Sequence, residues 1–349
     1  MRFGGFIQPQ YRLRQNAAGQ DDTDGFRLAR ARFTATGEGR AGNLELGAYV
    51  EAELQPTFSL FDAFVTVARA LPDKGRIVVD MGQTRVPISR QQLLSDTRIS
   101  FVEKAQLASI APDRDLGARV IFDPPKVPFV RVIGGVFNGE GRDQVENINE
   151  NLLYAGRLEI TPWGRDIPLT KYQESTFAGK LLSAGLSVGH NKIAQGGTED
   201  EAQLYLGADL AFAWMGLSGT AEYLEVRHSF STNTAGTTLP QNYKANGWVA
   251  QLDYMIPQHL APLGEGRFEI GARIEEIDRN DTVPITQPGD PNQSSREFTF
   301  VASYYLRQHT MKVQLAASHF TEVENRTATG QDAAYPNDEI LLQLTYRVE

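Results

Sequence analysis

Apolar and polar side chains alternate along this chain from one end to the other, and that period of two constrains the fold more than any other feature. Successive side chains of a β-strand point to opposite faces, so each such stretch is a ribbon with one greasy side and one wet side. Ile7, Pro9, Tyr11 and Leu13 alternate with Gln8, Gln10, Arg12 and Arg14. Ala29, Ala31, Phe33 and Ala35 alternate with Arg30, Arg32, Thr34 and Thr36, and a third stretch sets Leu44, Leu46, Ala48, Val50, Ala52 and Leu54 against Glu45, Tyr49, Glu51 and Glu53. The same rule gives apolar faces at 61–67 (Phe61, Ala63, Val65, Val67), 77–81, 116–122, 130–136 and 152–160. The second half adds 182–188, 204–214, 217–223, 248–256, 268–274, 298–306, 311–317 and 340–348, for sixteen strands in all.

Average hydropathy hides what such ribbons can do. The mean hydropathy of -0.34 is that of a water-soluble protein, and no run approaches the roughly 18 consecutive apolar residues of a membrane helix. Strands that alternate a lipid-facing with an interior-facing residue average out in any window, so a transmembrane barrel passes this filter unseen. Tyr11, Tyr154, Trp214, Trp248, Tyr254, Phe298 and Tyr346 lie toward strand ends, where interfacial girdles sit. A soluble β-sandwich would gather them at mid-strand, and no repeat of solenoid length is visible.

Connections alternate in length as well. The odd ones, 15–24, 83–114, 138–150, 190–202, 227–243, 278–296 and 321–338, are long, with 55–59 the short exception. The even ones include Pro72-Asp73-Lys74-Gly75, Asp123-Pro124-Pro125-Lys126, Met215-Gly216 and Arg307-Gln308-His309-Thr310, all tight-turn chemistry, with 163–179 the long exception. Long loops on one side and short turns on the other fit an outer-membrane barrel. An open sheet edge in lipid would leave backbone groups unpaired at several kcal/mol each. The expectation is therefore an all-β fold, a closed sixteen-stranded antiparallel transmembrane barrel, forming one domain over 1–349.

Composition excludes several functions. There is no cysteine, so thiol catalysis and disulfides fall away. A net charge of -9 is unfavourable for a nucleic-acid binder. No leader precedes the first strand, so the chain reads as a mature one, and this feature does not itself speak to export. His190, His228, His259, His309 and His319 are scattered without metal-ligand spacing, and no nucleophile elbow or phosphate-cradling loop occurs in its required context. The acidic runs 21–24 and 199–201 read as solvated charge rather than as a cation site. No enzyme, cofactor or metal is expected.

If the apolar faces meet outer-membrane lipid and lipopolysaccharide, the opposite faces point inward. They carry Arg12, Arg14, Arg30, Arg32, Arg119, Arg131 and Arg157 with Glu45, Glu51, Glu53, Asp62, Asp80, Glu159, Asp209, Glu222, Asp253, Glu269, Arg273 and Glu275. Each ionised group needs either water or a partner, since dry burial costs several kcal/mol. For most of them pairing across neighbouring strands is the plainer reading. Arg12, Arg14, Arg30 and Arg32 stand apart, on two adjacent strands with few acids beside them, and suggest a path for anions. The connection 83–114 holds Leu93, Leu94, Ile99, Phe101, Val102, Leu107 and Ile110 beside Arg90, Arg98 and Lys104 and the acids Asp96, Glu103 and Asp113. Folded inward, it would bury its apolar part and hang its charges in the lumen as a constriction, whereas an ordinary outer loop would cap the barrel.

Six stretches carry a resemblance to a known family: 26–33 (FRLARARF), 62–65 (DAFV), 82–87 (GQTRVP), 114–117 (RDLG), 135–141 (GVFNGEG) and 154–158 (YAGRL). Together they resemble the phosphate-selective porins O and P over nearly the whole chain. The resemblance implies a homotrimer, a third extracellular loop folded into the pore, and a ladder of arginines leading anions to it. The chain departs from the pattern where Ala29 precedes Arg30 and where acids accompany Arg90, Arg98 and Lys104. It also ends Tyr346-Arg347-Val348-Glu349 rather than in an aromatic residue. The function expected is passive diffusion of small hydrophilic solutes and ions through a water-filled pore with a mild anion preference. A phosphate-specific channel and an anchoring barrel bound to a partner complex are the rival readings. Residues expected at the pore are Arg12, Arg14, Arg30, Arg32, Arg90, Arg98, Lys104, Arg119, Arg131, Glu51 and Asp62.

Overall fold

The computed structural model describes residues 1–15, 22–144, 146–148, 150–163, 173–175, 177, 179–195, 199–230, 242–260, 264–281, 294–322 and 338–348. Sixteen strands form one sheet: β1 (Arg2–Arg14), β2 (Thr23–Ala41), β3 (Leu44–Glu53), β4 (Ser59–Ala70), β5 (Arg76–Arg85), β6 (Arg114–Asp123), β7 (Val130–Phe137), β8 (Leu153–Trp163), β9 (Leu181–Gln195), β10 (Glu199–Trp214), β11 (Leu217–Phe230), β12 (Tyr243–Ile256), β13 (Arg267–Asp278), β14 (Ser295–Arg307), β15 (Met311–Glu322) and β16 (Glu339–Val348). Each pairs antiparallel with its sequence neighbours, and β1 pairs with β16 from Gly5 opposite Val348 to Arg14 opposite Glu339, closing the barrel. Closure leaves no strand edge without a partner, as a sheet in hydrocarbon requires.

The outer face is the greasy one. Ile7, Val65, Met81, Val120, Val132, Leu158, Leu186, Leu210, Leu252, Ile270, Phe300, Leu315 and Leu342 are all exposed, an apolar belt far too broad for a protein surface in water. Tyr154, Trp214, Tyr254 and Tyr346 are exposed with them.

Several strands outrun the alternation that revealed them. The ladder between β2 and β3 carries on to a tight turn at Gly42, whose φ of +62° suits glycine. β9 and β10 pair out to Gln195 opposite Glu199, so the connection expected at 190–202 is strand for most of its length, and the run 199–201 lies in β10. Long ladders above the bilayer tolerate polar residues on both faces, which breaks the alternating signal. Most of the loops expected at 227–243, 278–296 and 321–338, and part of 15–24 and 163–179, lie outside the described residues.

Two bulges reassign faces. In β2, Gln8 is opposite Arg30 but Pro9 is opposite Leu28, so Ala29 is an extra residue. The inserted residue shifts the pleat by one, and Arg27 joins Arg30 and Arg32 on the interior face. In β4, Glu51 is opposite Asp62 and Ala52 opposite Leu60, which makes Phe61 the extra residue. Phe61 was expected to face lipid; instead the bulge turns its ring inward, where the guanidinium carbons of Arg32, Arg142 and Arg114 lie 3.7, 4.1 and 4.6 Å from its centroid.

Between β5 and β6 the chain leaves the sheet. It forms one helical turn, α1 (Arg90–Leu93), with Ser89 Oγ accepting the Gln92 N–H as N-cap, and a 3₁₀ turn over Gln106–Ile110. Its apolar side chains are buried against the sheet. Leu93, Leu94 and Ile99 pack on Ile133 of β7, and Phe101 and Val102 on Val301, Ala316 and Leu341 of β14, β15 and β16. Val86, Ile88, Ala105 and Leu107 pack on Phe137, Leu153, Tyr205, Leu224 and Val249.

Candidate functional site

The interior charges are met chiefly by one another. Arg119 Nε is 2.9 Å from Asp80, Arg131 Nε 2.8 Å from Asp123, and Arg114 Nε 3.1 Å from Asp62. Arg157 donates two hydrogen bonds to Asp209, at 2.6 and 2.9 Å. All eight of these residues are buried. The need for water inferred from the sequence is thus met largely by ion pairs, whose mutual attraction and hydrogen bonds offset desolvation. Arg90 joins the Arg157 and Asp209 group at 3.4 Å, and its backbone N–H donates to Glu222 at 2.9 Å.

The arginines of β1 and β2 form a row. Arg12 Nε donates to Glu339 at 2.6 Å, and Arg14 lines a cleft of about 470 Å³ with Asp22, Asp24 and Asp338. Arg27 donates to Gln10 at 2.7 Å and reaches Glu103 at 3.4 Å. Arg30 pairs closely with Glu103 and lies 3.8 Å from Asp96. Arg32 is 2.9 Å from Glu51, 2.8 Å from Glu53 and 2.7 Å from Asp96. The expectation that this group has few acids beside it is therefore corrected. β3 sets Glu53 directly opposite Arg32 and Glu51 two residues along, and the segment between β5 and β6 adds Asp96 and Glu103. The upper rungs meet water most: Arg12 and Arg27 side chains are 27% and 40% exposed, against 16% for Arg30 and 4% for Arg32.

Asp96 is the hub of the lower rungs. Lys104 Nζ is 3.7 Å away on the same segment. Burial alone would push the Asp96 carboxyl up, but Lys104, Arg32 and Arg30 together hold it well below its ordinary range. Burial pushes the Lys104 ammonium down to about 8 against the pull of Asp96. Arg98 sits on the same segment, where its carbonyl accepts the Glu174 N–H at 2.9 Å while Glu174 Oε2 accepts the Ser100 N–H at 2.8 Å.

The alternation therefore located Arg12, Arg14, Arg30, Arg32, Arg119, Arg131, Glu51 and Asp62 on the interior face, and the structure brings Arg30, Arg32, Glu51 and Lys104 together around Asp96. Arg119 and Arg131 stand apart in their own pairs. Arg27, Phe61, Arg114 and Glu174 were missed as site residues. The first two are concealed by bulges, and Glu174 by the length of its connection.

A model of the family described as phosphate-selective porin O and P matches residues 2–348. No curated protein matches the sequence. Among solved structures, the anion-selective porin from Comamonas acidovorans superposes with a TM-score of 0.63 at 13% identity, covering 99% of each chain. The outer membrane channel DcaP of Acinetobacter baumannii gives 0.60 at 11% identity, over 99% of this chain and 96% of that one. OmpT of Vibrio cholerae, in its trimer form, gives 0.59 at 10% identity, over 99% and 98%. At such identities these structures speak to the fold, a closed porin barrel. The family match, which spans the ladder from β1 to β16, settles the kinship: the chain belongs to the phosphate-selective porin O and P family of outer-membrane channels.

Proposed function

We propose that this channel is a general diffusion pore with a mild anion preference, in which the segment between β5 and β6 folds into the bore and narrows it. Hydrogen bonds that tie this segment to several sides of the ring support the reading. Gln8 of β1 donates to the Asp96 carbonyl, Glu222 of β11 accepts from Arg90 and Gln91, and Gln314 of β15 donates to the Ser100 carbonyl. Small hydrophilic ions and solutes would pass beside it by diffusion, their hydration partly replaced by charged wall groups.

The observation that carries the selectivity is the division of the arginine row. Arg12 and Arg27 keep contact with water and attract anions from the mouth. Arg30 and Arg32, lower down, are neutralised by Asp96, Glu103, Glu51 and Glu53. A phosphate-specific channel would need those lower guanidiniums open to the ion, so the pairing favours weak preference over specific binding. The anion-selective porin and the trimeric OmpT that share the fold are in keeping with an anion-preferring homotrimer seated in outer-membrane lipid and lipopolysaccharide. Passage involves no chemical step.

Planar-bilayer recordings test this. A KCl gradient should give a small reversal potential of anion sign, and inorganic phosphate at millimolar concentration should leave the chloride current unblocked. Block by micromolar phosphate would favour the phosphate-specific reading, and absence of conductance from folded trimers would favour an anchoring barrel.

A further inference from the structure

On the side of the barrel away from the arginine row, four polar side chains form a square. Ser218 of β11 is directly opposite Asp253 of β12, and Thr220 is directly opposite Gln251, so all four project from the same face of the sheet. Each is at least nine-tenths buried, with Asp253 at 1% exposure. Among the described residues, Ser218 Oγ, Thr220 Oγ1, Gln251 Nε2 and both carboxylate oxygens of Asp253 have no hydrogen-bond partner. The Ser100 hydroxyl, itself without a closer partner, interacts with the same carboxylate.

These groups line a cavity of about 10 Å³, which holds about one water-sized sphere. Sequence makes the room: the residues paired with Ser218 and Thr220 on their other side are Ala213 and Ala211 of β10, and both alanines line the cavity. Opposite Asp253 on β13 stands Gly271, where a Cβ would meet Asp253 Oδ1 at 2.5 Å.

A buried carboxylate with so little support either keeps a proton or meets a cation, because its bare ionised form costs several kcal/mol. Arg90 also borders the cavity, but its guanidinium is turned to Asp209 and Ser183, each at 3.4 Å. The nearby acids Glu174 and Glu269 share Lys312 with Asp253, so three carboxylates face one ammonium. Glu174 is engaged by Ser100 N–H, and Glu269 by Tyr305 and Ser175. Asp253 is the carboxylate left to bind. Turning the Gln251 amide over would aim its oxygen at the cavity as well, giving an all-oxygen set of one carboxylate, two hydroxyls and an amide.

We propose that Ser218, Thr220, Gln251 and Asp253 form a binding site for a single dehydrated monovalent cation of potassium size, on the far side of the barrel from the arginine row of β1 and β2. A divalent ion is less suited, because calcium favours several free carboxylates, and of the two that border this cavity Glu174 is already engaged by the Ser100 N–H. The bound ion balances Asp253 and joins β11 to β12 beside the segment that narrows the bore.

Diffraction from crystals of the detergent-solubilised full chain grown in thallium(I) acetate tests the site, since thallium(I) has nearly the radius of potassium and a strong anomalous signal. The expected result is one anomalous peak within coordination distance of Asp253 and the two hydroxyls, lost in Asp253→Asn and weakened in Thr220→Val. Ordinary water density without an anomalous peak would overturn the proposal, and so would a peak that persists in Asp253→Asn. Should Asp253→Asn fail to fold, Thr220→Val and Ser218→Ala decide, because a full-strength peak in both would remove the hydroxyls from the site.

Discussion

Arg32 Nη1 lies 2.7 Å from Asp96 Oδ2, so the guanidinium that β2 aims across the barrel is met by a carboxylate from the segment between β5 and β6. Asp96 also faces Arg30 at 3.8 Å and Lys104 at 3.7 Å. One carboxylate thus faces three cations. Unit charges about 4 Å apart interact by about 1 kcal/mol even in water, which is about fivefold in a partition ratio. Asp96→Asn should raise the anion-to-cation permeability ratio by about that factor or more, read from reversal potentials in a KCl gradient. An unchanged ratio would mean that passing ions do not feel this cluster.

The same cluster predicts a pH response. Burial lowers Lys104 from its ordinary 10.5 to about 8. Between those values the unfolded chain binds the proton that the folded chain has released, so this group adds stability as pH rises through the window and penalises folding below it. Deprotonation also removes a positive charge beside the row, so anion preference should fall between pH 7 and pH 9.5. Lys104→Met should flatten both trends. A wild-type reversal potential constant across that range would show that Lys104 lies out of reach of the ions.

Most of the architecture was legible because a closed sheet in lipid permits few alternatives: sixteen apolar faces, an even count and alternating connections leave little but a barrel. What escaped was set by single residues. Ala29 in β2 and Phe61 in β4 each insert one position, and period-two reading has no means of seeing an insertion that keeps both neighbours in strand conformation. Arg30 and Arg32 of β2 were found, yet the acids that neutralise them come from β3 and from a segment whose path is set by packing of Leu93, Phe101 and Leu107, which no local pattern encodes.

Phe61 gives a stability prediction. Three guanidiniums lie over its ring at 3.7 to 4.6 Å, and a desolvated cation–π contact contributes up to about 2 kcal/mol. Arg32 and Arg114 are themselves fixed by ion pairs, so the contacts overlap and the sum is smaller than three full contributions. Phe61→Leu keeps the apolar bulk and removes the ring quadrupole; it should cost about 1–3 kcal/mol in urea unfolding from lipid vesicles, while Phe61→Tyr should cost much less. Equal losses in the two variants would assign the effect to packing alone.

Leu107 anchors the segment between β5 and β6 to the wall of the barrel. It is fully buried among Leu224, Val226, Ala245 and Val249, and the backbone of β12 approaches so closely that a Cβ at Gly247 would lie 3.1 Å from Leu107 Cβ. Neighbouring Gln106 adds polar anchors, donating to Glu297 at 2.9 Å and accepting from Ser295 at 3.1 Å. None of these contacts belongs to the strand ladder. Truncating a leucine in such a site costs about 2–5 kcal/mol, and here the loss falls on the segment while the ring of backbone hydrogen bonds stays whole. Leu107→Ala should therefore keep the β-sheet circular dichroism of the wild type, raise and broaden the single-channel conductance, and speed proteolysis between residues 86 and 113. Gly247→Val, which pushes on the same leucine from the wall, should act in the same direction. Unchanged conductance and protease resistance in both variants would show that the polar anchors alone hold the segment in place.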